Sequence, residues 1–122
     1  MDSKETVLIV EDEKTLAHAL ELKVQHAGYS TQIAANGTDG MREALSGTYG
    51  VILLDLMLPG VDGFSILQAL QEKGNTVPVI VLTNLGQDKD RERAKSLGAK
   101  EYFVKADTPI AVILDKMKEV ME

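Results

Sequence analysis

Three acidic side chains directly follow apolar runs, at the positions where strands would end. Glu11 and Asp12 come after Thr6–Val10, and Asp55 comes after Val51–Leu54. Carboxylates that converge repel one another and take up protons unless a cation lies among them. The cluster therefore predicts a hard divalent ion, and Mg²⁺ fits better than Ca²⁺ because the sequence has no dedicated calcium-loop pattern.

Asp55 is also a candidate nucleophile. It stands between the apolar residues Val51–Leu54 and Leu56–Leu58, where burial would penalise an unpaired charge. A carboxylate can attack a phosphoryl donor to give an acyl phosphate, and a metal can stabilise the attacking and transferring oxygens. Two simpler alternatives stay open at this point: Asp55 as a solvated acid at a strand end, and Asp12 as the N-cap of the first helix.

Two further polar residues close apolar runs. Thr83 follows Val79–Leu82, and Lys105 follows Tyr102–Val104. Lys105 could pair with a carboxylate or its phosphate as a compact cation, and the Thr83 hydroxyl could donate a hydrogen bond to a phosphoryl oxygen. Taken singly, each would count as an ordinary polar residue at a strand end.

Five short apolar runs, rich in β-branched residues, predict the strands that position these groups. Helical patterns alternate with them, which favours a parallel sheet because right-handed crossovers return the chain over the sheet. We predict an α/β doubly wound sheet of parallel strands in the order 2-1-3-4-5, flanked by five helices, with a ligand crevice beyond strands one and three. The predicted strands are Thr6–Val10, Tyr29–Ala34, Val51–Leu54, Val77–Leu82 and Glu101–Val104.

The predicted helices differ in the apolar surface they offer. The fourth, Asp88–Leu97, has only Ala94 and Leu97 as evident apolar anchors. We expect it to be among the less firmly held elements, although a merely solvated helix is the alternative. Gly47 and Gly74 lie near the ends of the second and third helices, where a left-handed cap suits glycine.

Composition limits the class of protein. A chain of 122 residues with 44% hydrophobic content suits one domain rather than two, over residues 1–122. We expect no effector domain, unless the chain is a piece of a longer regulator. The formal net charge of −6 argues against direct nucleic-acid binding. The lack of cysteine excludes disulfides and thiolate sites, and no apolar run approaches the roughly 20 residues that span a bilayer. We expect a cytoplasmic protein without membrane insertion.

Four stretches of the chain form one set of motifs. The spacing from Asp55 to Pro59 and Asp62-Gly63, with threonine and lysine closing the next two strands, is highly specific. This set, which covers nearly the whole chain, resembles the receiver domains of bacterial two-component response regulators, including the chemotaxis regulators. The stretches read Val10-Glu11-Asp12-Glu13, Asp55-Leu56-Met57-Leu58-Pro59-Gly60-Val61-Asp62-Gly63, Leu82-Thr83 and Tyr102-Phe103-Val104-Lys105.

The resemblance implies a flavodoxin-like signalling switch rather than an enzyme. A histidine kinase or a histidine phosphotransfer protein would donate its phosphoryl group to Asp55. Asp12, Asp55 and the backbone carbonyl of Met57 would bind Mg²⁺, and Glu11 would act mainly through metal-bound water. Lys105 would contact the phosphoryl group.

By the same resemblance, Thr83 would move toward the phosphoryl group and Tyr102 would be the switch aromatic. Phosphorylation adds a charge of about −1.5 to −2, to which Thr83 and Lys105 are the nearest groups able to respond. Our hypothesis is that Thr83 vacates space for the Tyr102 ring and so reshapes the face of the fourth helix, fifth strand and fifth helix for a protein partner. A static Tyr102 ring is the alternative. We expect a monomer or a phosphorylation-dependent dimer.

Three positions depart from the family pattern, and one of them, Leu58 where many members have methionine, is a swap of similar volume that should cost little. Ala106 follows Lys105, where the family usually has proline after a cis peptide bond. Because a cis bond before a non-proline residue costs roughly 3–4 kcal/mol, the loop either tolerates strain or adopts a trans bond and takes another path. Asn84 stands where a small residue commonly follows the threonine, and it could hinder or help water that attacks the acyl phosphate.

Three functions other than that of a phosphorylated receiver fit parts of the sequence. A degenerate receiver would serve as a docking or dimerisation module, but the acidic residues are complete. A metal-dependent phosphohydrolase would need a second aspartate two residues after Asp55, where the sequence has Met57. A nucleotide-binding domain would need a glycine-rich loop after the first strand, where the sequence has Glu11-Asp12-Glu13.

Overall fold

The computed structural model of the protein describes residues 6–121. Its five parallel strands form one sheet in the order β2-β1-β3-β4-β5, and five α-helices flank it, so the predicted fold class and strand order are confirmed. In chain order the elements are β1 (Thr6–Val10), α1 (Lys14–His26), β2 (Ser30–Ala34), α2 (Gly37–Ser46), β3 (Val51–Leu54), α3 (Gly63–Glu72), β4 (Val79–Thr83), α4 (Asp88–Ser96), β5 (Glu101–Val104), a 3-10 turn (Lys105–Asp107) and α5 (Ile110–Met121).

Alternate strand residues enter two hydrophobic cores, one on each face of the sheet. Every residue of β3, and every residue of β4 before Thr83, is apolar and buried because helices cover both faces of these strands. One core joins the sheet to α1 and α5 through Val7, Ile9, Leu20, Val24, Val51, Leu53, Ile80, Leu82, Ile113 and Met117. The other joins it to α2, α3 and α4 through residues that include Leu8, Val10, Ala44, Ile52, Leu54, Ile66, Leu67, Val81 and Ala94.

The strand register brings the carboxyl ends of the central strands to one edge. Val10 pairs with Leu54, and Leu54 pairs with Val81 on the next strand. Thr83 at the end of β4 pairs with Val104 at the end of β5. The residues that follow these positions therefore meet at the same edge of the sheet, as expected for a parallel arrangement.

The fourth strand lies further along the chain than the sequence predicts. It covers Val79–Thr83 rather than Val77–Leu82. The Val77 N–H donates to Asn75 Oδ1 at 3.0 Å in a turn, and Pro78 has no N–H for a sheet ladder. The strand therefore begins only after the proline.

The second strand begins later than predicted, because Tyr29 still closes α1. Its N–H donates to the Val24 carbonyl at 3.3 Å, after Gly28 turns the chain with a φ of 98°. Gly74 after α3 is also left-handed, with a φ of 67°, as predicted. The expectation for Gly47 is wrong: its φ is −88°, and the chain leaves α2 in an extended conformation.

Helix α4 is held by little apolar surface, as the sequence predicts. Ala94 is its buried residue, and Leu97 just beyond its end is half-buried. Over residues 6–121, every helix is too short or too polar to cross a bilayer.

Close backbone packing fixes the loop between β3 and α3. The Gly37 N–H donates to the Pro59 carbonyl at 2.9 Å, and a Cβ at Gly37 would lie 1.5 Å from the Val61 oxygen. Asp62 caps α3 by accepting a hydrogen bond from the Ser65 N–H at 2.9 Å. The loop that follows the strand of Asp55 is thus held against the first turn of α2.

We expect Gly63→Ala to destabilise the fold. A Cβ at Gly63 would lie 2.4 Å from the Asp55 carbonyl oxygen and 2.6 Å from the Leu56 Cα, and backbone cannot move away cheaply. Overpacking of this kind costs about 1–3 kcal/mol, which urea unfolding measures. The control is Gly86→Ala, whose nearest neighbour would be 4.0 Å away. Equal stability of the two variants would contradict the close approach.

Candidate functional site

The buried polar residues of the described chain all lie at the carboxyl edge of the sheet. They are Glu11, Asp55 and Thr83. Glu11 directly follows β1, Asp55 directly follows β3, and Thr83 is the last residue of β4. Glu11 and Asp55 are each only 3% exposed, so Asp55 as a solvated strand-end acid is wrong. Buried carboxylates need partners, and these partners define the site.

Lys105 supplies the cation between the two buried carboxylates. Its Nζ lies 2.8 Å from Glu11 Oε1 and 2.8 Å from Asp55 Oδ2, with Glu13 Oε2 further out at 3.6 Å. The Lys105 side chain is 12% exposed, so water screens these ion pairs only in part. One ammonium group thus joins the ends of β1, β3 and β5.

Burial and charge act in opposite directions on these groups. Burial raises the pKa of Glu11, and hydrogen bonds from Lys105 and from the Glu13 backbone counter that rise only in part. For Lys105, burial lowers the pKa, but its hydrogen bonds and attraction to Asp55 and Glu11 outweigh burial and raise it overall. The ammonium therefore stays charged at neutral pH.

Backbone N–H groups hold the remaining carboxylate oxygens. The Met57 N–H donates to Asp55 Oδ1 at 3.1 Å, and the Glu13 N–H donates to Glu11 Oε2 at 3.1 Å. In each case the donor lies two residues after the acid, so the turn that ends the strand also orients the carboxylate. The Glu13 contribution was not predicted, although the residue is part of the acidic motif.

Asp12 completes an acidic cluster with Glu11 and Asp55. One carboxylate oxygen from each residue lies within 4.8 Å of the others, a spacing at which a metal ion could bind all three. The predicted alternative role for Asp12 is wrong, because the N-cap of α1 is Glu13, without a side-chain cap bond. The Asp12 side chain is exposed, and nothing in residues 6–121 pairs with its carboxylate. It is therefore available to a cation.

Thr83 and Tyr102 meet at the backbone of Leu85. Thr83 Oγ1 accepts a hydrogen bond from the Leu85 N–H at 3.4 Å, and the Tyr102 hydroxyl donates to the Leu85 carbonyl at 2.5 Å. The Tyr102 ring points into the core and the residue is 2% exposed. Leu85 was not predicted as a site residue, since it takes part through backbone atoms that carry no sequence signal.

The loop after β5 takes the trans path. None of the peptide bonds in the described chain is cis, and Lys105–Asp107 form a 3-10 turn. Thr108 Oγ1 closes the turn by donating to the Val104 carbonyl at 2.8 Å. Lys105 thus reaches both carboxylates without a proline at position 106.

Asn84, another departure from the family pattern, directly follows Thr83 and is exposed.

A shallow cavity of about 650 Å³ opens beside the acidic cluster. It gives room for a phosphoryl-sized group to approach from the side of the β3–α3 loop. Apolar and acidic side chains mix in its wall, which is formed by Asp12, Leu56, Met57, Leu58, Pro59, Asp62 and Phe64.

Residues 7–115 match the family model of the response regulator receiver domain. A transcriptional regulatory protein of Bacillus subtilis, YkoG, is 40% identical over 99 residues, which are 81% of this chain and 43% of that protein. The chain thus spans less than half of this relative's length.

Solved receiver domains have the same fold. The Francisella response regulator 1452 receiver domain has a TM-score of 0.89 and 26% identity, over 95% of both chains. The receiver domain of DrrB, solved as its BeF3-activated form, has a TM-score of 0.85 and 25% identity, over 95% of this chain and 96% of that one. The family model matches most of this chain, and the acidic cluster lies at the expected edge of the sheet. This chain therefore belongs to the response regulator receiver domain family.

Proposed function

We propose that this receiver domain is switched by phosphorylation of Asp55. The observation that carries the proposal is the Asp55 carboxylate itself, buried at the end of the central strand and hydrogen-bonded to Lys105 at 2.8 Å. A buried acid with a dedicated cation is costly to maintain for stability alone, because apolar residues of similar volume often serve as well. Its chemistry gives a reason for its presence.

The donor is a phosphohistidine of a histidine kinase or a histidine phosphotransfer protein. An Asp55 carboxylate oxygen attacks the phosphorus, the bond between phosphorus and the histidine nitrogen breaks, and an acyl phosphate forms. Lys105 is close enough to Asp55 to neutralise part of the added charge. The receiver orients the acceptor, while the donor supplies the phosphoryl group.

Mg²⁺ is the metal we propose for the acidic cluster. Its ligands would be the carboxylates of Asp12 and Asp55 and the Met57 carbonyl, with Glu11 acting through metal-bound water. The exposed Asp12 carboxylate, which no group in residues 6–121 occupies, supports its place among the ligands. The ion, when bound, would offset charge that builds up on the transferring oxygens.

We propose that Thr83 and Tyr102 carry the switch. Since the Tyr102 ring is already buried in this structure, it would transmit the change in place rather than enter space that Thr83 vacates. Phosphorylation would draw the Thr83 hydroxyl toward the new phosphoryl oxygens and change its contact with the Leu85 N–H. Because the Leu85 carbonyl accepts from Tyr102, the loop would transmit that change to the face of α4, β5 and α5. A downstream protein partner would read this face. The BeF3-activated form of DrrB offers a precedent within the family for an acyl-phosphate mimic.

A phosphoryl mass gain tests the proposal. Incubation with acetyl phosphate and Mg²⁺ should add one phosphoryl group to the intact protein, and chelator or Asp55→Asn should abolish the gain because each removes part of the reacting centre. Asp115→Asn, an exposed acid on α5, is the matched control and should still gain mass. A gain that persists in Asp55→Asn would refute the site. If there is no gain and beryllofluoride is inert, the docking-module alternative is the better account.

Substitutions of Asp12 and Lys105 should change the Mg²⁺ affinity in opposite directions. Asp12→Asn removes a ligand and should weaken Mg²⁺ affinity by about tenfold or more, equivalent to ~1.4 kcal/mol. Lys105→Met removes a competing cation from the cluster and should strengthen affinity by a similar factor. Calorimetric titration measures both, with Asp115→Asn as the unaffected control. Weaker binding in Lys105→Met would mean that the ammonium positions the ligands rather than competing with the ion.

A further inference from the structure

Arg91 makes two contacts with a single residue, Tyr102. Its Nη1 donates a hydrogen bond to the Tyr102 carbonyl at 3.1 Å, and its guanidinium carbon lies 4.8 Å from the centroid of the Tyr102 ring. The arginine therefore contacts both the backbone of β5 and the π-face of the Tyr102 ring. Arginine suits this position because its planar group can donate a hydrogen bond and stack at the same time.

The other end of the Tyr102 ring is fixed to the loop before α4. Its hydroxyl donates to the Leu85 carbonyl at 2.5 Å, and the Leu85 N–H donates to Thr83 Oγ1 at 3.4 Å. Burial, followed by the negative charge of Asp90, raises the pKa of Tyr102, so the hydroxyl remains a donor. Hydrogen bonds thus connect Thr83 to Arg91 through Leu85 and Tyr102.

Helix α4 has few other means of holding its place. Ala94 is its buried residue, and most of its remaining side chains are charged. Arg93 on the same helix stacks at 4.0 Å on the Phe64 ring of α3 rather than on Tyr102. The two arginines therefore tie α4 to different neighbours, and Arg91 alone of the pair contacts the switch tyrosine.

We propose that Arg91 is a positioning residue that holds the Tyr102 ring inward before phosphorylation and thereby sets the resting position of the α4–β5 face. The link to phosphorylation rests on the function proposed above. The hold of Arg91 on the Tyr102 ring, which we call the clamp, does not. Loss of a charge-assisted hydrogen bond and a cation–π contact shifts a two-state equilibrium by roughly tenfold or more. Without Arg91, the ring position should depend on the state of Asp55.

The test measures how accessible the Tyr102 ring is to a quencher. The chain has three tyrosines and no tryptophan, so Tyr29→Phe with Tyr49→Phe leaves Tyr102 as the only fluorophore of its kind. In this background, Arg91→Met should raise the acrylamide quenching constant by about twofold or more, because the inward ring is no longer the dominant state. Arg91→Lys, which keeps the charge but not the planar group, should give an intermediate value.

Arg93→Met is the matched control, since it removes the same group from the same helix without touching Tyr102. It should leave the quenching constant unchanged, and circular dichroism verifies that each variant is folded. An unchanged constant in Arg91→Met, or an equal rise in both methionine variants, would overturn the clamp.

Beryllofluoride with Mg²⁺ then tests the coupling in the same samples. In Arg91→Met it should return the quenching constant toward the parent value, as expected if occupation of the Asp55 site restores the inward ring. If the constant rises in Arg91→Met but beryllofluoride has no effect, the clamp stands and the coupling is overturned. In that case the mass gain at Asp55 decides whether the proposed function also fails.

Discussion

The Lys105 ammonium, held 2.8 Å from both Glu11 and Asp55, is the interaction on which the site depends. Two buried carboxylates so close together would repel each other, and burying both charges without a cation would be costly. The carboxylates come from the ends of β1 and β3, and the lysine from the end of β5. This ion pair therefore requires the three strand ends to meet, and the parallel sheet brings them together.

The same arrangement explains how two small hydrophobic cores, one on each face of the sheet, support the proposed phosphorylation site. Apolar residues cover both faces of the central strands, so polar groups gather where the strands stop. Tight backbone contacts at Gly37 and Gly63 fix the loop after Asp55. Away from this rigid part, α4 is tied mainly by Arg91 and Arg93 to aromatic rings, and this weak anchoring suits the response that the proposed switch requires of that face.

Residue types predicted the fold and the acidic cluster, because both depend on patterns that a sequence carries directly. β-branched runs predicted the strands, and acids directly after two of them predicted the cluster of Glu11, Asp12 and Asp55. Predictions failed where one local contact decided the outcome: Pro78 delayed β4, and Tyr29 closed α1 instead of starting β2. The contributions of Leu85 and Arg91 could not be predicted, since one uses backbone atoms and the other depends on how α4 lies against β5.

The most direct test of the account is to locate the phosphoryl group chemically. Borohydride reduces an acyl phosphate to an alcohol, so a phosphorylated aspartate becomes homoserine, which peptide mass spectrometry places in the sequence. The account predicts homoserine at position 55 after treatment with acetyl phosphate and Mg²⁺, and at no other acid of the cluster. Reduction at Glu11 or Asp12, or a phosphorylated protein in which Asp55 stays intact, would contradict it.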